Sequence, residues 1–291
     1  MVTWEKGPVQ VIRFIRRLRG GSQPVMVEGT DGCSYVLKFS NNLQGANLPF
    51  NESAGIELFK SCGLAVPEWK PLWVTPEFLD QNPGCWIESP DERLRPVPGL
   101  CFGANFLGKP GSRLLEILPG TSFKLIRNRM CFWLAWLIDI CFDHIDNRQA
   151  VFQEDAEGGL DAFFIDMGNM FGGAKGNQTA HFITSRYLDP RIYVDVGSEW
   201  ITEFQKIAQA LDTDGLWRRI QVLPEDWKSA SAMAGFSRGL DRVCNGDLVR
   251  NVLDTIVDTH QRRGQIDRVA GKITEDSSPE ILRPRIQDRP A

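Results

Sequence analysis

Histidine is scarce in this chain: His144, His181 and His260 are the only three in 291 residues. None of the seven cysteines belongs to a C-x-x-C pair, and their number is odd. A zinc module needs a closely spaced set of Cys and His ligands, so none can be assembled here. Scattered single cysteines do not make a disulfide framework and fit a reducing compartment, so a cytoplasmic location is expected. Long apolar runs are missing as well. The most apolar stretch, Met130 to Phe142, is interrupted by Asp139. It falls well short of the ~20 apolar residues a membrane span requires and reads as a buried helix. The opening Met-Val-Thr-Trp-Glu-Lys lacks the charged-then-apolar layout of a leader peptide. Positive charge is not in excess: 33 Lys and Arg against 37 Asp and Glu leave a formal net charge of −4. A protein that coats nucleic acid needs a basic face, so the charge balance argues against that class.

What is present is ordinary globular material, with 42% hydrophobic and 24% charged residues. The length suits one large domain or two joined lobes at ~100–200 residues per domain. Val9 to Ile15 alternates loosely and ends at Gly20-Gly21. Val25-Met26-Val27-Glu28 and Ser34 to Phe39 read as two strands joined by the turn signal Gly29-Thr30-Asp31-Gly32. A helix is predicted from an Asn51 N-cap, with Glu52 in its first turn, to a stop at Gly63. Trp69 to Val74 reads as a further strand. Residues 75–121, rich in Pro and Gly, read as a linker and irregular crossover. A long apolar helix over Phe123 to Phe142 follows, then a hairpin of Gln149 to Phe152 and Ala162 to Ile165. Amphipathic helices are predicted over 198–211, 213–221 and 238–263. The Pro-rich charged tail from Thr274 reads as disordered. There is no internal repeat.

Several residues carry potential chemistry. Backbone around Gly29, Thr30 and Gly32 could fold over a triphosphate, because glycine lets the chain come close; the competing reading is a plain hairpin turn. Lys38, on the strand after that turn, could reach phosphates, or could face solvent. Glu52 could pair with Lys38 and fix its ammonium, with Glu57 as a competitor on the same helix. The strongest signal is Phe142-Asp143-His144-Ile145-Asp146-Asn147-Arg148-Gln149-Ala150-Val151-Phe152 followed by Phe164-Ile165-Asp166-Met167-Gly168. One carboxylate near an incoming hydroxyl and a second that holds Mg2+, separated by a short hairpin, is what phosphoryl transfer needs. Gly168 is expected to let the chain turn sharply beside Asp166.

These segments together resemble the HipA-like kinases, most closely the compact branch whose loop reads Asp-x-Arg-Gln-Ala-Val-Phe. The resemblance runs in order through Tyr35 to Phe39, Asn51-Glu52, Gly63 to Pro67, Phe102-Gly103, Leu118-Pro119, Asn128, Phe142-Asp143, Asp146 to Phe152, Phe164 to Gly168 and Phe171-Gly172-Gly173. It covers residues 25–175, and the helical remainder fits less specifically. It implies that Lys38 contacts ATP phosphates, that Glu52 orients Lys38, that Asp146 is the catalytic-loop aspartate and that Asp166 binds Mg2+. Gln149 stands where kinases in general carry an Asn on a second metal, in a shorter loop. Arg148 would neutralise phosphate charge or hold Asp146. The sequence also departs from the pattern: Asn147 follows Asp146 where better-known members have a histidine, and Met167-Gly168 replaces the usual His-Gly. His144 is expected to be structural. The extra N-terminal subdomain of longer members is expected to be absent.

The expectation is therefore an α+β, two-lobed protein-kinase-like fold. A small strand-rich N-terminal lobe spans residues 1–100, a larger helical C-terminal lobe spans 101–273, and the tail spans 274–291. ATP and Mg2+ are the expected ligands. The acceptor is expected to be a protein Ser/Thr, or else a small-molecule hydroxyl; a pseudokinase that binds nucleotide or a partner without turnover is the rival. Arg13, Arg16, Arg17 and Arg19 read as a solvated strand edge, and Trp133 and Trp136 as core.

Overall fold

The computed structural model describes residues 7–108, 112–176, 178–179, 185–194 and 199–245. Strand β1 (Val9–Arg17), β2 (Val25–Gly29) and β3 (Ser34–Lys38) form an antiparallel meander. Helix α1 (Leu48–Ser61) follows, then β4 (Trp69–Val74), the short helix α2 (Pro76–Gln81), a ribbon of β5 (Ile87–Glu88) and β6 (Arg93–Leu94), and β7 (Gly99–Asn105). β7 inserts between β3 and β4, and β4 meets β1 in parallel, which closes a barrel in the order β1-β2-β3-β7-β4.

Alternation along the strands decides what fills the barrel. Val25, Val27, Tyr35 and Leu37 point inward and pack with Val11, Leu72, Val74 and Cys101. Met26, Val36 and Lys38 sit at the intervening positions and face outward toward the chain that follows. Tyr35 carries an inward polar group, and its hydroxyl donates to Asp31 at 2.6 Å.

After the barrel come β8 (Arg113–Leu115), a 3-10 turn over Gly120–Leu125 and α3 (Cys131–Cys141). β9 (Gln149–Glu154) and β10 (Leu160–Ile165) form the expected hairpin, and β8 adds a third strand in the order β10-β9-β8. A second 3-10 turn at Pro190–Tyr193 precedes α4 (Glu199–Ala210), α5 (Thr213–Gln221) and α6 (Ala230–Cys244). The core here is aromatic. Trp133 stacks on Trp200 with centroids 4.6 Å apart and lies 5.6 Å from Trp136; Phe132 meets Phe164 edge-on at 5.0 Å. No helix among the described residues is long and apolar enough to cross a membrane.

Several expectations shift. Helix α1 begins at Leu48 with Pro49 in its first turn, where the missing N–H costs nothing. Asn51 is therefore inside the helix, fully buried, and is not its cap. The segment read as a linker over 75–121 contains β7, a central barrel strand. Two glycines and a cysteine weakened its strand signal, yet a Cβ on Gly103 would stand 2.3 Å from Leu72 Cδ1, so the spot needs a bare backbone. β7 also runs through the expected boundary at residue 100. Helix α3 is shorter than the predicted 123–142, because Gly120–Leu125 coils as a 3-10 turn instead. The last predicted helix starts at Ala230 rather than 238. Its portion beyond Asn245, the tail from Thr274, and His181 and His260 lie outside the described residues.

Candidate functional site

Lys38 ends β3 on the outward face, and α1 lies across it. The helix brings Glu52 onto the Lys38 ammonium, where Glu52 Oε1 accepts from Nζ in a buried ion pair. Glu57 is not the partner: it accepts from Trp69 Nε1 at 2.9 Å and pairs with Arg219 at 3.1 Å. From 128 residues further along the chain, Asp166 reaches the same ammonium, with Oδ1 2.7 Å from Nζ. Gln149 Nε2 donates to Asp166 Oδ2 at 2.8 Å. Four of the expected site residues thus gather in one cluster.

The backbone around Asp166 is held from two sides. Asp166 has φ of 59°, in the left-handed region that non-glycine residues rarely adopt. Glu52 Oε2 accepts from the Met167 amide at 3.2 Å, and Asn51 Nδ2 donates to the carbonyls of Gly168 and Met170 at 2.9 and 2.8 Å. The neighbouring residues of α1 thereby fix both the lysine and the segment after Asp166. Gly168 serves close approach rather than a sharp turn. Its φ is not positive, and a Cβ there would stand 3.0 Å from Glu52 Oε1.

Charge follows this geometry. Burial works against the Lys38 ammonium, but the carboxylates of Asp166 and Glu52 outweigh it and hold Lys38 above lysine's ordinary value. Burial alone would raise Asp166, yet Lys38 beside it holds the carboxyl at about 2. Burial raises Glu52; Lys38 opposes this, and the negative Asp166 adds to it, so Glu52 ends above the usual glutamate value. One positive charge is shared between two negative ones.

Arg148 corrects an expectation. It is 1% exposed and faces away from the cluster. Its Nε donates to Asp139 Oδ2 at 2.8 Å and its Nη1 to the Ile165 carbonyl at 3.1 Å, and its guanidinium lies 4.8 Å over the Phe59 ring. It cannot meet a phosphate without abandoning the buried Asp139. Its geometry braces the strand end that carries Asp166. His144 completes this network at 3.2 Å from Arg148 and 3.5 Å from Asp139. Burial and the Arg148 charge lower its basicity, and its buried ring lies in this network rather than on the cavity wall.

Asp146 sits three positions before Gln149 on the loop that feeds β9, exposed to solvent. Its Oδ1 accepts from the Asn147 amide at 2.7 Å and its Oδ2 from Asn169 at 3.3 Å. Asn169 belongs to the segment after Asp166, so the two acidic loops are tied together.

A cavity of about 310 Å3 opens beside the cluster, lined by Lys38, Glu52, Gln149 and Asp166 at its polar end. Val36, Ile56, Phe102, Ala104 and Ile165 make apolar walls that suit a flat ring. Asn105 also lines it, and its Oδ1 is buried without a hydrogen-bond partner among the described residues.

The glycine turn at the cavity is not the expected one. Gly29, Thr30 and Gly32 lie at the other end of β3, roughly 13 Å along the strand from Lys38. Their amides are already engaged: Gly29 donates to Cys33, Thr30 to Gln10 and Gly32 to Gly29. The turn that lines the cavity joins β1 to β2 and contributes Leu18, Arg19, Gly20, Ser22 and Pro24. Asn42 Nδ2 anchors it through the Ser22 carbonyl at 2.6 Å. The amides of Gly20, Gly21 and Ser22 donate to no carbonyl among the described residues. The signal that could have found it was Gly20-Gly21 two strands ahead of Lys38. Ser53, on the α1 turn that carries Glu52, is buried and donates to the Pro49 carbonyl at 2.8 Å.

Among the described residues no group of three or more His, Cys, Asp or Glu side chains forms a metal cage. Mg2+ needs none, since it takes one or two carboxylates together with phosphate oxygens. Asp166 with the adjacent Gln149 fits that pattern, provided the Gln149 amide turns its oxygen inward.

Among solved structures, the chain matches the Helicobacter pylori proinflammatory kinase CtkA, with a TM-score of 0.53 and 12% identity over 83% of this chain and 96% of that one. Two structures of a Golgi casein kinase, one with Mn/ADP bound, match with TM-scores of 0.44 and 0.47 at 11% identity. They cover 83% and 85% of this chain and 72% of their own. No protein-family model matches the chain, and no curated protein does. At such identity the likeness to CtkA speaks for the fold alone: this is an α+β chain with a kinase-like fold.

Proposed function

We propose that this chain is a HipA-like kinase that transfers the γ-phosphate of ATP to a hydroxyl, with a protein Ser/Thr as the favoured acceptor. The observation that carries the reading is the convergence of Lys38, Glu52 and Asp166 on one ammonium at the polar end of an apolar cavity. In this reading the strands through Asn105 form the N-terminal lobe and the helical part forms the C-terminal lobe, with the nucleotide in the cavity. The base would lie between Val36 and Ile165, with the phosphates toward Lys38 and the Gly20–Ser22 turn. Asp166 and Gln149 would hold Mg2+, which when bound neutralises phosphate charge. Asp146 would orient the acceptor hydroxyl and take its proton as the new oxygen–phosphorus bond forms and the bond to the β-phosphate oxygen breaks. Most of the rate enhancement would come from positioning and charge. Arg148 acts here only through the backbone of Ile165 and Asp166.

A nucleotide-binding module without turnover is the second reading. The direct contact of Lys38 with Asp166 favours it, because a metal at that carboxylate would compete with the ammonium for its charge. Transfer of γ-labelled phosphate from ATP–Mg2+ separates the two, with a general protein substrate and the chain itself offered as acceptors. Label from the wild type that is lost in both Asp146→Ala and Asp166→Ala supports the kinase. Thermal stabilisation by ATP–Mg2+ without label supports the second reading, and neither effect would overturn both.

A further inference from the structure

The charges lining the cavity do not balance in the way a polyphosphate needs. Lys38, the cation expected to meet phosphate, is already matched by Glu52 and Asp166. Among the described residues, the other cations on the cavity wall are Arg16, near the end of β1, and Arg19, in the turn after it. Neither has an ion-pair or hydrogen-bond partner among the described residues. The other arginines of this stretch are occupied: Arg13 pairs with Glu28, and Arg17 donates to the Trp86 carbonyl and lies 4.4 Å over its ring.

Strand register aims Arg16 at the cavity. Arg16 pairs with Met26 and Met26 with Val36, so the three share one face of the barrel, and Val36 is a cavity wall. Arg19 opens the turn in which the amides of Gly20, Gly21 and Ser22 find no carbonyl among the described residues. A run of such amides is a ready anion cradle, and a guanidinium adds charge-assisted donors to it.

Resting on the nucleotide reading above, we infer that Arg16 and Arg19 are the polyphosphate-binding cations of this cavity. They supply through side chains the positive charge that Lys38 has committed to its two carboxylates. The stretch read from sequence as a solvated edge is thus divided: Arg13 and Arg17 serve the fold, while Arg16 and Arg19 serve the ligand.

The test compares the full chain with Arg16→Gln, Arg19→Gln and the double variant, with Arg13→Gln as control. Affinities for ATP, ADP and adenosine are measured by calorimetry at low and at physiological salt, and inorganic tripolyphosphate is used as a competitor. Both arginines are exposed, so the variants are expected to melt like the wild type. Each cleft substitution should weaken ATP binding roughly tenfold, weaken ADP less, leave adenosine unchanged and flatten the salt dependence. Tripolyphosphate should displace ATP from the wild type and only weakly engage the double variant. Unchanged ATP affinity in the double variant would overturn the inference while leaving the nucleotide reading intact. A wild type that binds neither ATP nor adenosine would overturn the nucleotide reading, and the inference with it.

Discussion

Lys38 brings one positive charge into a place that holds two negative ones, and this sets what each substitution does. Removing the ammonium leaves Glu52, 2% exposed, beside Asp166 with no counter-ion. Lys38→Met is therefore expected to destabilise the fold by about 3–5 kcal/mol, the usual cost of breaking a buried pair from one side. Adding Glu52→Gln should recover part of that loss, since the second change removes the stranded charge. Urea unfolding of both single variants and the double variant measures the coupling. Strictly additive losses would show that the pair has no energetic link. Asp139 and Arg148 stand in the same relation behind Asp166, 0% and 1% exposed, so that pair belongs to the fold rather than to the ligand.

At the scale of elements, α1 connects the lysine strand to the Asp166 segment, and small residues let it lie close. A Cβ on Gly55 would stand 2.5 Å from Met167 Cβ and 2.9 Å from Met170 Sδ. Gly55→Ala must push α1 away from the segment that Asn51 and Glu52 hold. The expected cost is about 1–3 kcal/mol of stability from overpacking. On the proposed kinase reading, phosphate transfer should fall further than the stability loss accounts for, because the shift separates Glu52 from the Met167 amide. Transfer assayed well below the melting temperature checks this, and unchanged transfer there would refute the account. The helix start also shows why Asn51 was misread. Its residue type suits a cap, but tertiary contact with Gly168 and Met170 places it one turn inside the helix.

For the molecule as a whole, acid should act through the aspartates whose native values are depressed. Asp166 is held at about 2 against an ordinary 3.8, and Asp139 is also lowered, burial being outweighed there by the Arg148 charge. A carboxyl depressed in the native state stabilises it fully above its unfolded value, and that stabilisation is lost as pH falls through the native one. The urea midpoint is therefore expected to be level down to about pH 4 and to drop between about 4 and 2. Asp166→Asn should lower the midpoint at neutral pH and flatten the acid drop; an identical acid profile would refute the assignment. Composition and pattern were enough to read the strands that end at Lys38 and the β9–β10 hairpin to within two residues, because these depend on local periodicity and residue type; the choice of Asp146 came only with the family resemblance. Pattern could not show β7 as a central strand, since Gly103 is explained only by the Leu72 side chain that presses on it and Gly99 by its positive φ. Nor could it choose between two glycine turns: Gly20–Ser22 and Gly29–Gly32 both look able to cradle phosphate, and they flank the same five-residue strand. An antiparallel meander sends successive turns to opposite ends of a sheet, so only the closed barrel, with α1 and Asp166 packed at one end, decided which turn meets the site.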